Sequence, residues 1–437
     1  MQTVKELFKY IVSNLLICEA NLVLKKYKPK VIAVTGSVGK TSTKDAIYNV
    51  LVPHFRIRKS EKSYNSEFGL PLTILGQKSA WMSPLGWAHI LFIGATEIFF
   101  KSKYPEWLVL EVGANRPGDI RKISKWLKPD IGVLTRLPEI PVHIEFFPDR
   151  EAIVNEKMSL AQDVKKNGLI VYNIDDETLR EKVKDLSQEK ISYGFSDLAQ
   201  VKASNAQVLY EKNGDNNLPV GISFKLDHEG QIIPIRIKGV LGEHQVYSAL
   251  AAIAVALASG LNIVAVAETI QNFYATPPGR LKLISGIKGS IILDDTYNSS
   301  PAALEAAIVA LGGLETSGRK IALLGDMLEL GEHTIEAHRL AGQLVAQNCD
   351  LLLTVGLRSK FFEEGAKEKG MKEENIRHFE DSLEAGQALD KIIKTGDAIL
   401  IKGSQGMRME KAVVEVMAEP LRAGELLCRQ EEEWLKR

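Results

Sequence analysis

Cysteine is scarce in this 437-residue sequence, and the three that occur, Cys18, Cys349 and Cys428, lie far apart with no CxxC pair. That spacing argues against a zinc ribbon or a disulfide framework and fits a reducing cytosol. An excess of one charge is also missing. Lys+Arg and Asp+Glu both number 55, so no general basic field draws in nucleic acid, although a local patch stays open. Residues 1–28 lack an unbroken apolar run with a small-residue cleavage site, so no secretion signal is read there. Lys5, Glu6, Lys9, Glu19, Lys25 and Lys26 among Leu7, Ile11, Leu15 and Leu22 instead predict an amphipathic helix over residues 1–28. The 45% hydrophobic and 25% charged residues exclude a disordered or collagen-like chain, and the length predicts two or three domains.

One charge-free stretch stands apart. Between Lys78 and Glu97 no residue carries a formal charge, and Trp81, Leu85, Trp87, Ile90, Leu91, Phe92 and Ile93 dominate. Its length just reaches that of a membrane span, but Pro84, Gly86, His89 and Gly94 interrupt it. A packed helical insertion over about 79–104 is the favoured reading. A hairpin that touches a membrane surface or a partner chain comes second, and a true span last.

Elsewhere apolar β-type runs alternate with helical patterns. Val31–Thr35 leads through a glycine turn into a helical pattern from Thr41 to Leu51; Trp107–Glu111 and Ile131–Thr135 follow, with a helix-like stretch from Asp119 to Leu127. This alternation predicts a parallel sheet covered on both faces. Over about 190–240, short alternating runs such as 221–226 and 232–237 are split by Gly, Asn and Asp, which predicts a small antiparallel subsheet. Tyr274-Ala-Thr-Pro-Pro-Gly279 is the best linker, because paired prolines end a helix. Beyond it, Ser290–Asp294, Lys320–Leu324, Leu351–Val355 and Ala398–Ile401 predict a second, Rossmann-like α/β domain. The charged end from Arg422 reads as a surface helix or frayed tail. The expected organisation is therefore a helix over 1–28, a P-loop ATPase-like domain over 29–276, an α/β domain over 277–420 and a tail over 421–437.

The strongest local signal is Thr35-Gly36-Ser37-Val38-Gly39-Lys40-Thr41-Ser42, between a strand and a helix. Glycines let backbone N–H groups curl around a phosphate, and the helix N-terminus adds favourable dipole charge. Lys40 would reach the outer phosphates and the Thr41 hydroxyl would bind Mg²⁺, although Val34 stands at the first glycine position of the usual loop pattern. Glu111 closes a strand at the end where open α/β sheets bind ligands, so beside such a loop it is a candidate Mg²⁺ carboxylate. His143 and Lys157 would, on local spacing alone, be a core or surface histidine and a solvated lysine.

Taken in order, several segments resemble the ATP-dependent Mur ligase family, nearest its D-alanyl-D-alanine-adding branch. They are Val34–Lys44, Leu110-Glu-Val-Gly-Ala-Asn115 with Pro117-Gly118, Pro278-Gly-Arg-Leu281, and Leu293-Asp-Asp-Thr-Tyr-Asn298 with Pro301. Leu324-Gly-Asp-Met-Leu-Glu-Leu-Gly-Glu-His333 and Ile401-Lys-Gly-Ser404 with Met409-Glu-Lys411 complete the set, which spans about 30–415. The resemblance implies a ligase of cell-wall synthesis that phosphorylates a substrate carboxylate with ATP and lets an amine attack the acyl phosphate. Its implied substrates are D-alanyl-D-alanine and a muramyl peptide, in a cytoplasmic protein that is a monomer or weak oligomer. It implies Lys40 at the phosphates, cradled with Gly36, Ser37, Val38, Gly39 and Ser42, and two Mg²⁺ sites using Thr41, Glu111, His143 and a carbamylated Lys157. It further implies Arg280, Gln245, Asn298 and Asp326 at the nucleotide, and Asn298 with Lys402, Gly403 and Ser404 at the incoming amino substrate.

Two departures bear on the substrate. The family's adenine-holding His-Asn-x-x-Asn-Ala appears as His244-Gln-Val-Tyr-Ser248-Ala, and Ser248 has no two-sided amide edge. Only about 28 residues precede the first strand, so the uridine-nucleotide-binding domain usual in this branch is expected to be missing. A Mur-type ligase or amidotransferase subunit acting on a lipid-linked or polyglutamate substrate, with contact at the inner membrane face through 79–104, is the alternative within the class. A catalytically silent nucleotide-binding scaffold is the alternative outside it, opposed by the joint presence of Lys40, Thr41, Glu111, His143, Lys157 and Arg280.

Overall fold

Continuous apolar strands need cover on both faces, and the computed structural model shows them so placed. It describes residues 2–61, 64–80, 83–213, 216–274 and 276–435; Trp81 of the charge-free stretch lies outside the described residues. The chain divides into two compact units. The first comprises Met1–Leu137, Asp149–Lys202 and Tyr247–Thr269, the second Pro138–Pro148, Ala203–Val246 and Ile270–Arg437.

The first unit is built on β1 (Lys30–Thr35), β2 (Ile57–Lys59), β3 (Trp107–Glu111), β4 (Ile131–Leu134), β5 (Leu169–Asn173) and β6 (Glu189–Gly194). They pair in parallel in the order β2-β3-β1-β4-β5-β6. From β1 the chain first fills one side and then crosses to the other, so the carboxyl end of β1 is a topological switch point where a crevice opens. β1, β3 and β4 are buried almost throughout. Helices α1 (Gln2–Tyr27), α2 (Lys40–Leu51), α3 (Gly69–Leu75), α4 (Pro84–Phe99), α5 (Asp119–Leu127) and α6 (Arg150–Gln162) accompany the sheet.

The charge-free stretch is thus helical from Pro84 onward. Pro84, read above as an interruption, sits in its first turn, where no N–H is needed, and the Ser83 side chain accepts a hydrogen bond from Gly86 N at 3.0 Å. α4 packs on α1 and α3. No helix among the described residues is long and apolar enough to cross a membrane.

In the second unit β7 (Val201–Asn213), β8 (Asn216–His228) and β9 (Gln231–Lys238) form the small subsheet. β8 and β9 pair antiparallel through a two-residue turn whose residues, Glu229 and Gly230, both have positive φ (51° and 77°), as the twist of a hairpin favours. A six-stranded sheet follows: β10 (Lys282–Ser285), β11 (Ile291–Asp295), β12 (Lys320–Gly325), β13 (Leu351–Val355), β14 (Ile376–Phe379) and β15 (Ala398–Lys402). Their order is β10-β11-β15-β12-β13-β14, with only β10 antiparallel. Leu304, Ile308 and Leu311 belong to one core cluster of this unit, and Val413 and Val416 to the other. The parallel-dominated sheets and the antiparallel subsheet agree with the fold class expected. The end of the chain does not behave as a frayed tail throughout: Leu427, Cys428 and Arg429 are buried.

Candidate active site

At the switch point of the first unit the chain turns from β1 into α2. Gly36 has φ 144°, and a Cβ there would lie 2.0 Å from Thr135 Oγ1; Gly39 takes φ 85° as the residue before α2. Only glycine suits both constraints. The loop is tied to the strand beside it, since Ser37 N donates to Arg136 O at 2.8 Å and Thr135 Oγ1 donates to Val38 O at 2.6 Å. Thr35 Oγ1 and Ser37 Oγ are buried and make no hydrogen bond among the described residues. Such donors are costly unless something satisfies them.

Thr41 heads α2 and donates through Oγ1 to Glu111 Oε2 at 2.9 Å. Asn65 Nδ2 donates to the other oxygen, Oε1, at 3.3 Å. Glu111 is 3% exposed at the end of β3. A hydroxyl and a carboxylate therefore converge beside the glycine turn, a pair of hard oxygen donors that suits Mg²⁺. Among the described residues no group of three or more His, Cys, Asp or Glu side chains has metal-holding geometry. A cation here would take its remaining ligands from phosphate and water, which is Mg²⁺ habit.

Lys157, on α6, is 4% exposed, which excludes a solvated lysine. Burial lowers its ammonium to about 7, helped by the positive charge of Lys40 and opposed by Glu156, Glu111 and Asp119. Glu156, its neighbour in sequence, is fully committed: its carboxylate accepts from Gly118 N, Ile120 N and Arg121 N at 2.9, 2.6 and 3.1 Å, capping α5. Lys157 is thus an amine close to half-neutral at physiological pH. Ser248 is buried, its Oγ 3.4 Å from Thr43 Oγ1.

The remaining predicted residues lie in the second unit. His143 has φ 68°, and its Nδ1 is 2.5 Å from Glu329 Oε2, whose carboxyl this hydrogen bond holds below the usual range. Gln245 is buried, donating from Nε2 to Arg280 O at 2.9 Å, and its Oε1 accepts from Tyr274 OH at 3.1 Å. The Arg280 guanidinium stacks 4.1 Å over the Tyr297 ring. Two adjacent carboxylates bind the 278–281 segment to the end of β11. Asp294 accepts from Gly279 N at 3.0 Å and from Thr296 Oγ1 at 2.6 Å, and burial pushes its pKa up to about 6. Asp295 accepts from Leu281 N at 3.1 Å and pairs with Lys402 Nζ at 2.6 Å.

Lys402 also donates to Asn298 O at 2.8 Å, and burial holds its ammonium below the usual lysine range despite that ion pair. Asp326 Oδ1 accepts from Ser359 N at 2.8 Å while its backbone carbonyl accepts from Ser404 N at 3.0 Å. Asn298, Lys402, Gly403, Ser404 and Asp326 therefore cluster at the carboxyl ends of neighbouring strands. Sequence reasoning missed Asn65, Glu156, Glu329 and Arg429. Arg429 donates to Glu410 Oε2 at 2.9 Å and to Thr296 O at 3.1 Å, and it also reaches Tyr297 O.

Comparison with known proteins gives a consistent picture. Residues 89–256 match the Mur ligase middle domain, and 279–405 match the Mur ligase, glutamate ligase domain. The chain is 31% identical over 403 residues to the UDP-N-acetylmuramoyl-tripeptide–D-alanyl-D-alanine ligase of Bacillus subtilis, covering 92% of this chain and 79% of that protein. To the Haemophilus influenzae ligase of that name it is 28% identical over 400 residues, covering 89% and 77%. Among solved structures, MurF ligase from Thermotoga maritima in complex with ADP superposes with a TM-score of 0.75 at 27% identity, over 92% of this chain and 82% of that one. MurF from Acinetobacter baumannii, at 23% identity and a TM-score of 0.74, shares the fold over 92% and 79%.

Proposed function

Because the chain belongs to the Mur ligase family, we propose that it is an ATP-dependent, ADP-forming peptide ligase that joins D-alanyl-D-alanine to a muramyl tripeptide in cell-wall synthesis. The observation that carries the reading is the Thr41–Glu111 pair beside the Gly36–Gly39 turn, with the buried amine of Lys157 in the same unit.

In this reading a substrate carboxylate oxygen attacks the γ-phosphorus of ATP, ADP leaves, and an acyl phosphate forms. The amine of D-alanyl-D-alanine then attacks the acyl carbon, an amide C–N bond forms, and phosphate departs with a proton lost from nitrogen. Bringing two anions together needs fixed positive charge, which Lys40 supplies along with the N–H groups of Gly36 to Ser42. Mg²⁺ would be held by Thr41 and Glu111, and a carbamylated Lys157 would offer an oxygen ligand to a second ion in the same unit. When bound it screens the phosphate oxygens. The carbamate arises when neutral Lys157 Nζ attacks CO₂, a C–N bond forms and a proton goes to solvent.

Arg280 takes the nucleotide phosphates, Gln245 and Asp326 its adenosine end, and Asn298, Lys402, Gly403 and Ser404 the incoming dipeptide. We assign the central ATP-binding domain to 29–276 and the C-terminal domain to 277–420, in a cytoplasmic protein. The deciding experiment measures phosphate release with D-alanyl-D-alanine against other amines, supplying the muramyl peptide in UDP-linked and lipid-linked forms. Release that requires the dipeptide supports the reading, and release that ignores it refutes the assigned amine.

A further inference from the structure

α1 and α4 run side by side in the same direction. Glu19 lies against Gly94, where a Cβ would come within 2.0 Å of its Oε2, and one helix end further on Lys26 Nζ donates to Glu97 O at 2.8 Å. Each helix buries one apolar stripe in the first unit: Val12, Leu16, Ala20 and Val23 on α1, and Trp87, Ile90 and Gly94 on α4. Each also leaves a second one uncovered. On α1 Phe8, Ile11, Leu15 and Leu22 keep helical spacing and are 42–48% exposed. On α4 Leu85, Phe92 and Phe99 recur every seven residues at 85%, 67% and 79% exposure. Isolated exposed apolar residues need no cause, but an apolar stripe on each of two paired helices does.

The charge around these helices is as uneven as their hydrophobicity. Their carboxyl ends come together and gather Lys25, Lys26, Lys28 and Lys30 with Lys101 and Lys103. With Arg56 that makes seven cations against Glu97 and Glu106, in a chain of zero net charge. Beside them a cavity of about 380 Å³ is lined by Lys28, Lys30 and Arg56 together with Tyr27, Tyr104 and Trp107. Lys30 Nζ stands 4.8 Å over the Trp107 ring. Apolar side chains, a lysine cluster and amphipathic aromatics at one helix end form the pattern of a helix that lies in a bilayer interface rather than across it.

We propose that the α1–α4 pair docks on an anionic bilayer surface, its phenylalanines in the acyl boundary and its lysines at the lipid phosphates. A second copy would cover the stripes but leave each lysine cluster facing another of the same sign or solvent. An anionic membrane satisfies both at once.

Flotation of the full chain with vesicles of phosphatidylcholine containing phosphatidylglycerol, against phosphatidylcholine alone, tests this without any activity readout, so its failure leaves the ligase reading untouched. Binding should require the anionic lipid and weaken as salt is raised. The doubly exposed changes Lys101→Glu with Lys103→Glu should reduce it about tenfold or more. Phe92→Ser with Phe99→Ser should reduce it similarly, with both variants melting as the wild type does. No flotation, equal flotation on both vesicle types, or wild-type flotation of both variants would overturn the proposal. So would a concentration-dependent dimer that stays off vesicles, which would give the stripes to a second copy.

Discussion

Replacing Lys157 by methionine should make the protein more stable and catalytically silent in one step. The buried amine has its pKa lowered from 10.5 to about 7, with burial the largest cause. A folded-state value below the unfolded one means that the unfolded chain holds the extra proton between about 7 and 10.5, so this group makes stability rise with pH through that window. Near neutral pH the fold forgoes roughly 3–5 kcal/mol on account of this side chain, the free-energy equivalent of the shift. Methionine has similar length and no charge, so Lys157→Met should recover much of that, seen as a higher denaturant midpoint in metal-free, CO₂-purged buffer. The same shift raises the neutral fraction at pH 7 from well under a thousandth to about one half, which is what attack on CO₂ needs. Turnover should therefore fall about 100-fold or more in the variant. In Lys157→Ala, acetate or formate should restore part of it by entering the vacated space. A methionine variant that unfolds earlier than wild type and still turns over would refute both halves of the reasoning.

Lys40→Ala should leave the fold intact and lower phosphate release about 100-fold or more, and retention of more than about a tenth of wild-type activity would remove Lys40 from the phosphate site. Arg429→Ala should cost roughly 1–3 kcal/mol in urea denaturation, because it removes one of the two guanidinium partners of the buried Glu410 carboxylate, at 2.9 Å, and leaves Arg408 as the other; an unchanged midpoint would show that residues 427–429 are not docked. Glu19 tests the α1–α4 contact through pH. Burial raises its carboxyl to about 7, so the folded state holds the extra proton between about 4.5 and 7, and stability should fall as pH rises through that range by about 1 kcal/mol after allowance for its partial exposure. Thermal melting of Glu19→Gln should lack that fall, and parallel pH profiles for variant and wild type would contradict the contact.

The parts of the fold that were legible are those whose signal is local. β1, β3 and β4 read as strands because both faces are buried, so their apolar runs are unbroken. The glycine turn read as an anion site because only glycine permits Gly36 and Gly39 their conformations. Lys157 was different. Mid-helix and flanked by Glu156, it carries no local mark, and only the order of distant motifs singled it out. The His143–Glu329 pair was out of reach, since the two residues are far apart in sequence and each sits at positive φ in an irregular segment. α1 shows what periodicity alone leaves undecided. Its apolar residues fill two stripes, and sequence pattern named Ile11, Leu15 and Leu22, whereas the fold buries Val12, Leu16, Ala20 and Val23. Periodicity finds apolar faces, but the partner decides which one is covered.

Arg429 gives the site a history in time. Its contacts run back to Thr296 and Tyr297, 133 and 132 residues earlier in the chain. At a synthesis rate of about 5–20 residues per second, the Asp-Asp-Thr-Tyr-Asn segment therefore exists for about 7–26 s before its brace has been translated. During that interval the nascent chain can assemble β10 and β11, yet the Thr296 and Tyr297 carbonyls lack their arginine, and Glu410, once made, has only the Arg408 guanidinium until Arg429 follows. The loop can gain this brace only after Arg429 has been made, so a ribosome stalled short of codon 429 would carry the Asp-Asp-Thr-Tyr-Asn segment without it.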